Sequence, residues 1–387
     1  MKNKLSLTLI SFLANFIMAG FASQFGMLIE PIAQHYHADI NAVASIFSLL
    51  NGGALAGTIA AFFLIEKVGV KRMTLIIYAV VFLCALLMHM SSGLWPVMVA
   101  MTLVGLCGGI GLCVAGTIVV SVWQDRIQST MLVVQDATFN VAGVVFPLIT
   151  TYALTHNMSW SYSYLSVGMV ALVTLGIVAL TRFSACEATP SAEQPDTAKS
   201  EWNPGIISGG IGLFLGMLAL YTFLTWAPLF VKNKFGIPFE EAGNIITQYW
   251  GAALVGALVS TVIVARVRIH YFLLSIILLA CVITTIIVTK QTISGLDYLA
   301  YSYGFVCAAL YNSFIAYGVS FVKRASSQNV SYILISGSAG AMFSPAISAL
   351  MEKTMALQKI MYAIPVLYLI IFIMLIATLK LKRKSVQ

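Results

Sequence analysis

The stretch SACEATPSAEQPDTAKSEWNP, Ser184 to Pro204, is the longest polar run inside the chain. It is rich in Ser, Ala, Pro and acidic residues, the composition of a flexible linker. On either side of it the chain is of another kind. Of its 387 residues, 60% are hydrophobic and only 9% charged, with a mean hydropathy of +0.95. Soluble domains carry about 25% charged residues, so the chain reads as an integral membrane protein. A spanning helix needs about 20 mainly apolar residues. Twelve such stretches are present: 6–29, 41–65, 73–91, 95–122, 130–154, 160–182, 205–231, 241–264, 270–289, 296–321, 329–350 and 358–379. They are continuous rather than alternating, which excludes a transmembrane β-barrel. The polar run leaves six on each side. The expected fold is therefore all-α: twelve transmembrane helices in two six-helix bundles, 1–183 and 205–387, joined by a cytoplasmic linker, 184–204.

The first stretch, directly after Met1-Lys2-Asn3-Lys4, is too long for a signal peptide and is followed by no A-x-A-like cleavage site; it reads as the first span. The net charge of +8 invites a nucleic-acid reading, but its distribution argues for topology. Taken alternately from the N-terminus, one set of loops holds all but five of the 21 lysines and arginines. The other holds only Lys232, Lys234, Lys290, Lys353 and Lys359. Positively charged loops stay inside, so both termini are expected in the cytoplasm, in a bacterial inner membrane. Five cysteines (Cys84, Cys107, Cys113, Cys281, Cys307) fall inside spans and Cys186 in a loop, none with metal-site spacing. His35-x-His37, near Glu30 and Asp39, reads as a solvated external loop ahead of a metal site. No cofactor is expected.

The two halves match at an offset of 199 residues. Gly52-Gly53-Ala54-Leu55-Ala56-Gly57 lines up with Gly251-Ala252-Ala253-Leu254-Val255-Gly256, Lys67-Val68 with Arg266-Val267, and Gly105 with Gly304. Ala142-Gly143-x-x-Phe146-Pro147 and Ala339-Gly340-x-x-Phe343-Ser344-Pro345 match two residues out of step. Parallel six-helix repeats are the layout of the major facilitator superfamily, and other features resemble it too. The loop Glu66-Lys67-Val68-Gly69-Val70-Lys71-Arg72 is similar to its acidic-basic-x-Gly-x-basic-basic signature. Leu50-Asn51-Gly52-Gly53 and Phe139-Asn140-x-x-Gly143-x-x-x-Pro147 resemble stretches of the fucose/galactose/glucose–proton symporter family. Within that family Ser11-Phe12-Leu13, Asn51-Gly52, and Asp136 with Ala142-Gly143-x-x-Phe146-Pro147 resemble the TsgA-like branch. The resemblance implies a secondary transporter whose bundles rock about a cavity near mid-membrane, working as a monomer, with Glu66, Lys67, Gly69, Lys71 and Arg72 as a gating loop. The sugar symporters' carboxylate positions are occupied here by Met27 and by Cys113-Val114.

That turns attention to Asp136. An acid at bilayer depth costs roughly 2.5–3.5 kcal/mol on insertion scales. The other twelve acids, Glu30 among them, are expected in loops or at helix ends. Asp136, Asn140, Gly143 and Pro147 follow i, i+4, i+7, i+11, one helix face. Three roles stand open for Asp136: proton coupling, a buried hydrogen-bonded tie between helices, or contact with a cationic solute. Polar and aromatic residues at membrane depth are the solute-contact candidates: Asn15, Gln24, Asn51, Gln135, Asn140, Tyr221, Trp226, Gln248, Trp250, Tyr311 and Asn312. For each, helix–helix hydrogen bonding is the competing role. Amides and rings suit a small neutral or zwitterionic hydrophilic solute. The expected activity is proton-coupled symport, with proton-coupled export of a drug, toxic metabolite or siderophore as the alternative. An enzyme would need clustered acids, a Ser/His pair or metal ligands within the spans, and none is evident.

Overall fold

The computed structural model describes residues 2–183, 202–264, 266–322 and 327–384. Among these residues the chain is helical and without strands. The first span is two helices, α1 (Lys2–Ser23) and α2 (Phe25–Tyr36). Then follow α3 (Ile40–Val68), α4 (Val70–Met90), α5 (Leu94–Val122), α6 (Asp125–Thr155) and α7 (Ser161–Leu180). The second half holds α8 (Pro204–Phe235), a single turn α9 (Phe239–Ala242), α10 (Asn244–Val264) and α11 (Ile269–Thr289). Its tenth span is broken at Ala308-Ala309 into α12 (Leu296–Cys307) and α13 (Leu310–Val319), and α14 (Ser327–Glu352) and α15 (Leu357–Lys384) close the chain. Twelve of the described helical segments are long and apolar enough to cross a membrane. The reason is physical: inside hydrocarbon every backbone N–H and C=O must be paired within the segment, which a helix does by itself.

The ends follow local chemistry. Asn203 caps α8, its Oδ1 accepting from Gly205 N and Ile206 N at 3.0 Å each, with Pro204 at the first helical position. Asp39 Oδ1 accepts from Asn41 N at 3.2 Å to start α3. Most boundaries fall within a few residues of the hydropathy reading. The largest departure is the first span, which runs on through α2 to Tyr36 rather than ending near 29; α6 begins at Asp125 rather than near 130. A helix continues through polar helix-formers such as Arg126 and Gln128, whereas hydropathy marks only where the apolar run begins.

The chain divides into two compact units, Met1–Ala192 and Glu193–Gln387. The expected linker falls on 184–204, and 184–201 lie outside the described residues. Inside each unit the same pair of spans meets through glycine. In the first, a methyl added at Gly105 would overlap the Leu50 carbonyl oxygen, and one at Gly57 that of Leu106. In the second, Gly304 sits in the same way on Tyr249 O and Gly256 on Phe305 O. Leu50 and Tyr249, like Leu106 and Phe305, are 199 apart. The repeat offset is thus realised atom for atom in how α3 crosses α5 and α10 crosses α12.

Overpacking such a crossing costs typically 1–3 kcal/mol or more. Gly105→Val and Gly304→Val are each expected to lower the melting temperature in detergent or abolish folded expression. Gly116→Ala, with nothing within 4 Å of the added carbon, should be neutral.

Candidate functional site

In the first unit α1 and α6 are joined by a buried polar seam. Ser11 Oγ donates to Gln135 Oε1 and to Ala115 O, both at 3.0 Å. Asn15 Nδ2 donates to Gln135 O at 2.9 Å, and Gln135 Nε2 returns to Asn15 Oδ1 at 3.5 Å. Thr138 Oγ1 lies 3.1 Å from Phe12 O and 2.6 Å from Gln135 O. Ser11 and Asn15 share a face of α1 by i, i+4 spacing, so one stripe of α1 meets one turn of α6. Asp136 follows Gln135 on α6, eleven residues from its start, about 16 Å along the axis at about 1.5 Å per residue. Its side chain lies outside the described residues. Asn140, one turn on, is half-buried.

Two other amides of this unit are buried and hydrogen-bonded. Gln24, at the break between α1 and α2, is fully buried; its Nε2 donates to Gly20 O at 2.8 Å and Ser163 O at 3.3 Å, and Thr150 Oγ1 donates to its Oε1. It therefore links α1, α6 and α7. Asn51 Nδ2 donates to Phe47 O of its own helix at 3.0 Å. One expectation is corrected. Glu30, expected in a loop or at a helix end, stands inside α2 at 8% exposure, with Gln34 Nε2 donating to its Oε1 at 2.9 Å. The apolar run ends at Glu30-Pro31, but the helix continues because Ile29, Ile32 and Ala33 still bury a face.

The second unit repeats the seam between α8 and α14. Thr222 Oγ1 lies 2.9 Å from Ser344 Oγ, and Trp226 Nε1 donates to Ser348 Oγ at 2.7 Å. Trp226 is fully buried and Trp250 is 9% exposed, its ring 5.2 Å from that of Tyr249. Both indoles pack inside the unit; a large ring at mid-membrane is as apt to fill a core as to line a cavity. Gln248 Nε2 donates to Asp297 Oδ1 at 2.6 Å, tying α10 to the first turn of α12. Tyr311 is half-buried and donates to Leu334 O at 3.3 Å, Asn312 is exposed, and Tyr221 is half-buried on α8. Tyr311 and Asn312 stand immediately after the α12–α13 break.

The loop expected to gate lies at the end of the first unit that carries the N-terminus. Gly69, at φ 83°, is both the last cap of α3 and the first of α4. Lys71 Nζ donates to Thr181 O at 2.8 Å and Ala179 O at 3.4 Å, covering the open carbonyls at the end of α7. Asn3 and Arg182 exchange bonds there, Asn3 Nδ2 to Arg182 O at 2.9 Å and Arg182 N to Asn3 Oδ1 at 3.2 Å. Lys67 and Arg72 are exposed, and the side chain of Glu66 lies outside the described residues.

The family model of the Major Facilitator Superfamily matches residues 9–345. The chain belongs to this superfamily. It is a multi-pass membrane protein and a secondary transporter of small molecules, not an enzyme. Protein TsgA of Salmonella arizonae is 24% identical over 375 residues, covering 97% of this chain and 95% of that protein. The TsgA homolog of Edwardsiella ictaluri is 23% identical over 372 residues, covering 96% and 94%. The resemblance to TsgA-like transporters thus runs through both halves. Among solved structures, the nucleoside transporter NupG superposes with a TM-score of 0.76 at 12% identity, over 98% of this chain and all of that one. A mutant form of NupG superposes equally well, with a TM-score of 0.76 at 13% identity, over 97% of this chain and 99% of that one.

Interhelical hydrogen bonds in membranes are worth about 0.6–2 kcal/mol. Gln135→Leu and Trp226→Phe should each lower unfolding stability in detergent by about 1 kcal/mol, and Trp226→Phe should leave solute binding intact. Lost binding at unchanged stability would make Trp226 a solute contact after all.

Proposed function

We propose that the protein takes up a small hydrophilic, neutral or zwitterionic solute across the bacterial inner membrane, by alternating access and together with protons, with both termini in the cytoplasm. The observation that carries the reading is the α1–α6 seam. Gln135 and Thr138 commit one face of α6 to α1, and position 136 falls on a neighbouring face, in line with Asn140 and Gly143. An acid there serves as the coupling group, taking and releasing a proton as access alternates. Glu30, bonded to Gln34 at the far end of the first span, is not assigned that role.

The bonds that the solute-contact candidates make support a narrower set. Asn15, Gln24, Gln135 and Trp226 have bonds between helices that use their polar groups, Asn51 bonds within its own helix, and Trp250 packs on Tyr249. Asn140 and Asn312 remain as the amides offered to a solute, with Tyr221 half-buried on α8, Tyr311 bonded to Leu334 O and Gln248 beside the Asp297 carboxylate. Such a set recognises hydroxyls and rings; organic polyanions call instead for Arg or Lys. A nucleoside, the solute named for the structural neighbour NupG, is one molecule of this kind and heads the screen. Within the Glu66–Arg72 loop, we assign Lys71 the part of a latch on α7, with Lys67 and Arg72 at the membrane surface.

A thermal-shift screen of nucleosides, sugars, amino acids and siderophores on the purified protein identifies the solute. In proteoliposomes an acidic exterior should then drive its accumulation. Asp136→Asn should abolish that accumulation and keep solute counterflow, while Glu30→Gln should leave both. Full pH-driven uptake by Asp136→Asn would remove it as the coupling acid. Proton-driven extrusion from loaded vesicles would replace uptake by export.

A further inference from the structure

The second unit carries an open groove of about 690 Å³, within the roughly 300–1,000 Å³ of small-ligand sites. Gly251, Ala252 and Val255 of α10, Leu279 of α11, and Tyr301 and Phe305 of α12 line it. The offset of 199 maps Ala252 onto Gly53 and Tyr301 onto Thr102. In the first unit Gly53 lies against the Thr102 carbonyl so closely that an added methyl would overlap it. Ala252 carries a methyl where the first unit has this glycine, and it stands in the wall of the groove. One turn deeper the backbones touch again, Gly256 on Phe305 O.

The lining decides the occupant. It holds no charged side chain, and the Ser302 hydroxyl at its edge donates to Tyr298 O at 2.7 Å. Val255, Leu279 and Tyr301 are 53%, 49% and 46% exposed within segments that cross the membrane. Gly251 is seven residues into α10 and Tyr301 five into α12, about 10 Å and 8 Å along their axes, which is hydrocarbon depth. Tyr298, 77% exposed, stands a turn nearer the helix start, where tyrosines meet lipid headgroups. We propose that this groove is a binding site for one acyl chain of a membrane phospholipid. The headgroup lies at the Tyr298 level and the tail descends between α10 and α12. A flexible methylene chain restores the dispersion contacts that an open apolar wall forfeits.

The test uses the full-length protein in nanodiscs containing phosphatidylethanolamine with a photoactivatable diazirine in its tail. After illumination and digestion, labelled peptides are mapped by mass spectrometry. Label should concentrate on α10–α12, several-fold above the matching segments 52–56 and 102–107 of the first unit. Val255→Trp, which fills the groove from an exposed position, should remove most of that excess. Leu279→Trp, which fills the groove from its α11 wall, should reduce it as well. Even labelling of both units, or an excess unmoved by both substitutions, would overturn the proposal. So would crosslinks joining two copies of the chain through α10–α12.

Discussion

The architecture depends on backbone meeting backbone. In water, apolar faces drive helices together; in a bilayer the lipid tails are as apolar as leucine, and that drive is gone. What remains is dispersion, which needs near contact, and hydrogen bonds across helices. At Gly57, Gly105, Gly256 and Gly304 the first is taken to its limit, with an α-carbon against a neighbouring carbonyl oxygen. The seams Ser11–Asn15–Gln135 and Thr222–Trp226–Ser344–Ser348 supply the second. Both devices join the same pairs of spans in the two units, so one packing solution is used twice.

This division of labour separates the residues that hold the protein from those that serve its solute. A buried amide in a membrane protein has two possible careers, and its bonds show which it follows. Gln24 reaches α6 and α7 and has nothing left to offer a solute. Asn312, exposed just after the α12–α13 break, keeps that capacity.

The fold was legible because its signals are long. Twenty apolar residues in a row admit one reading, and twelve such runs around the Ser184–Pro204 stretch give the six-plus-six arrangement. The repeat was legible at its glycines, where only one residue type fits, and dissolved elsewhere, since lipid-facing positions accept any apolar side chain. The site was legible only as a pool of candidates. No spacing rule says that Trp226 ends on Ser348, because the partner is 122 residues away in sequence. Glu30 was misplaced for a related reason: hydropathy locates where lipid is tolerated, and α2 is held by what it buries. The i, i+4 pair Ser11 and Asn15 was the signal that could have announced the α1–α6 seam.

The joint at Gly69 has a mechanical consequence. One residue separates α3 from α4, and its positive φ is a conformation that few other residues adopt. Two rods pinned by so short an elbow have little room to swing apart. Any stroke of the first bundle must carry them together as a single crank, with Lys71 riding on its hub.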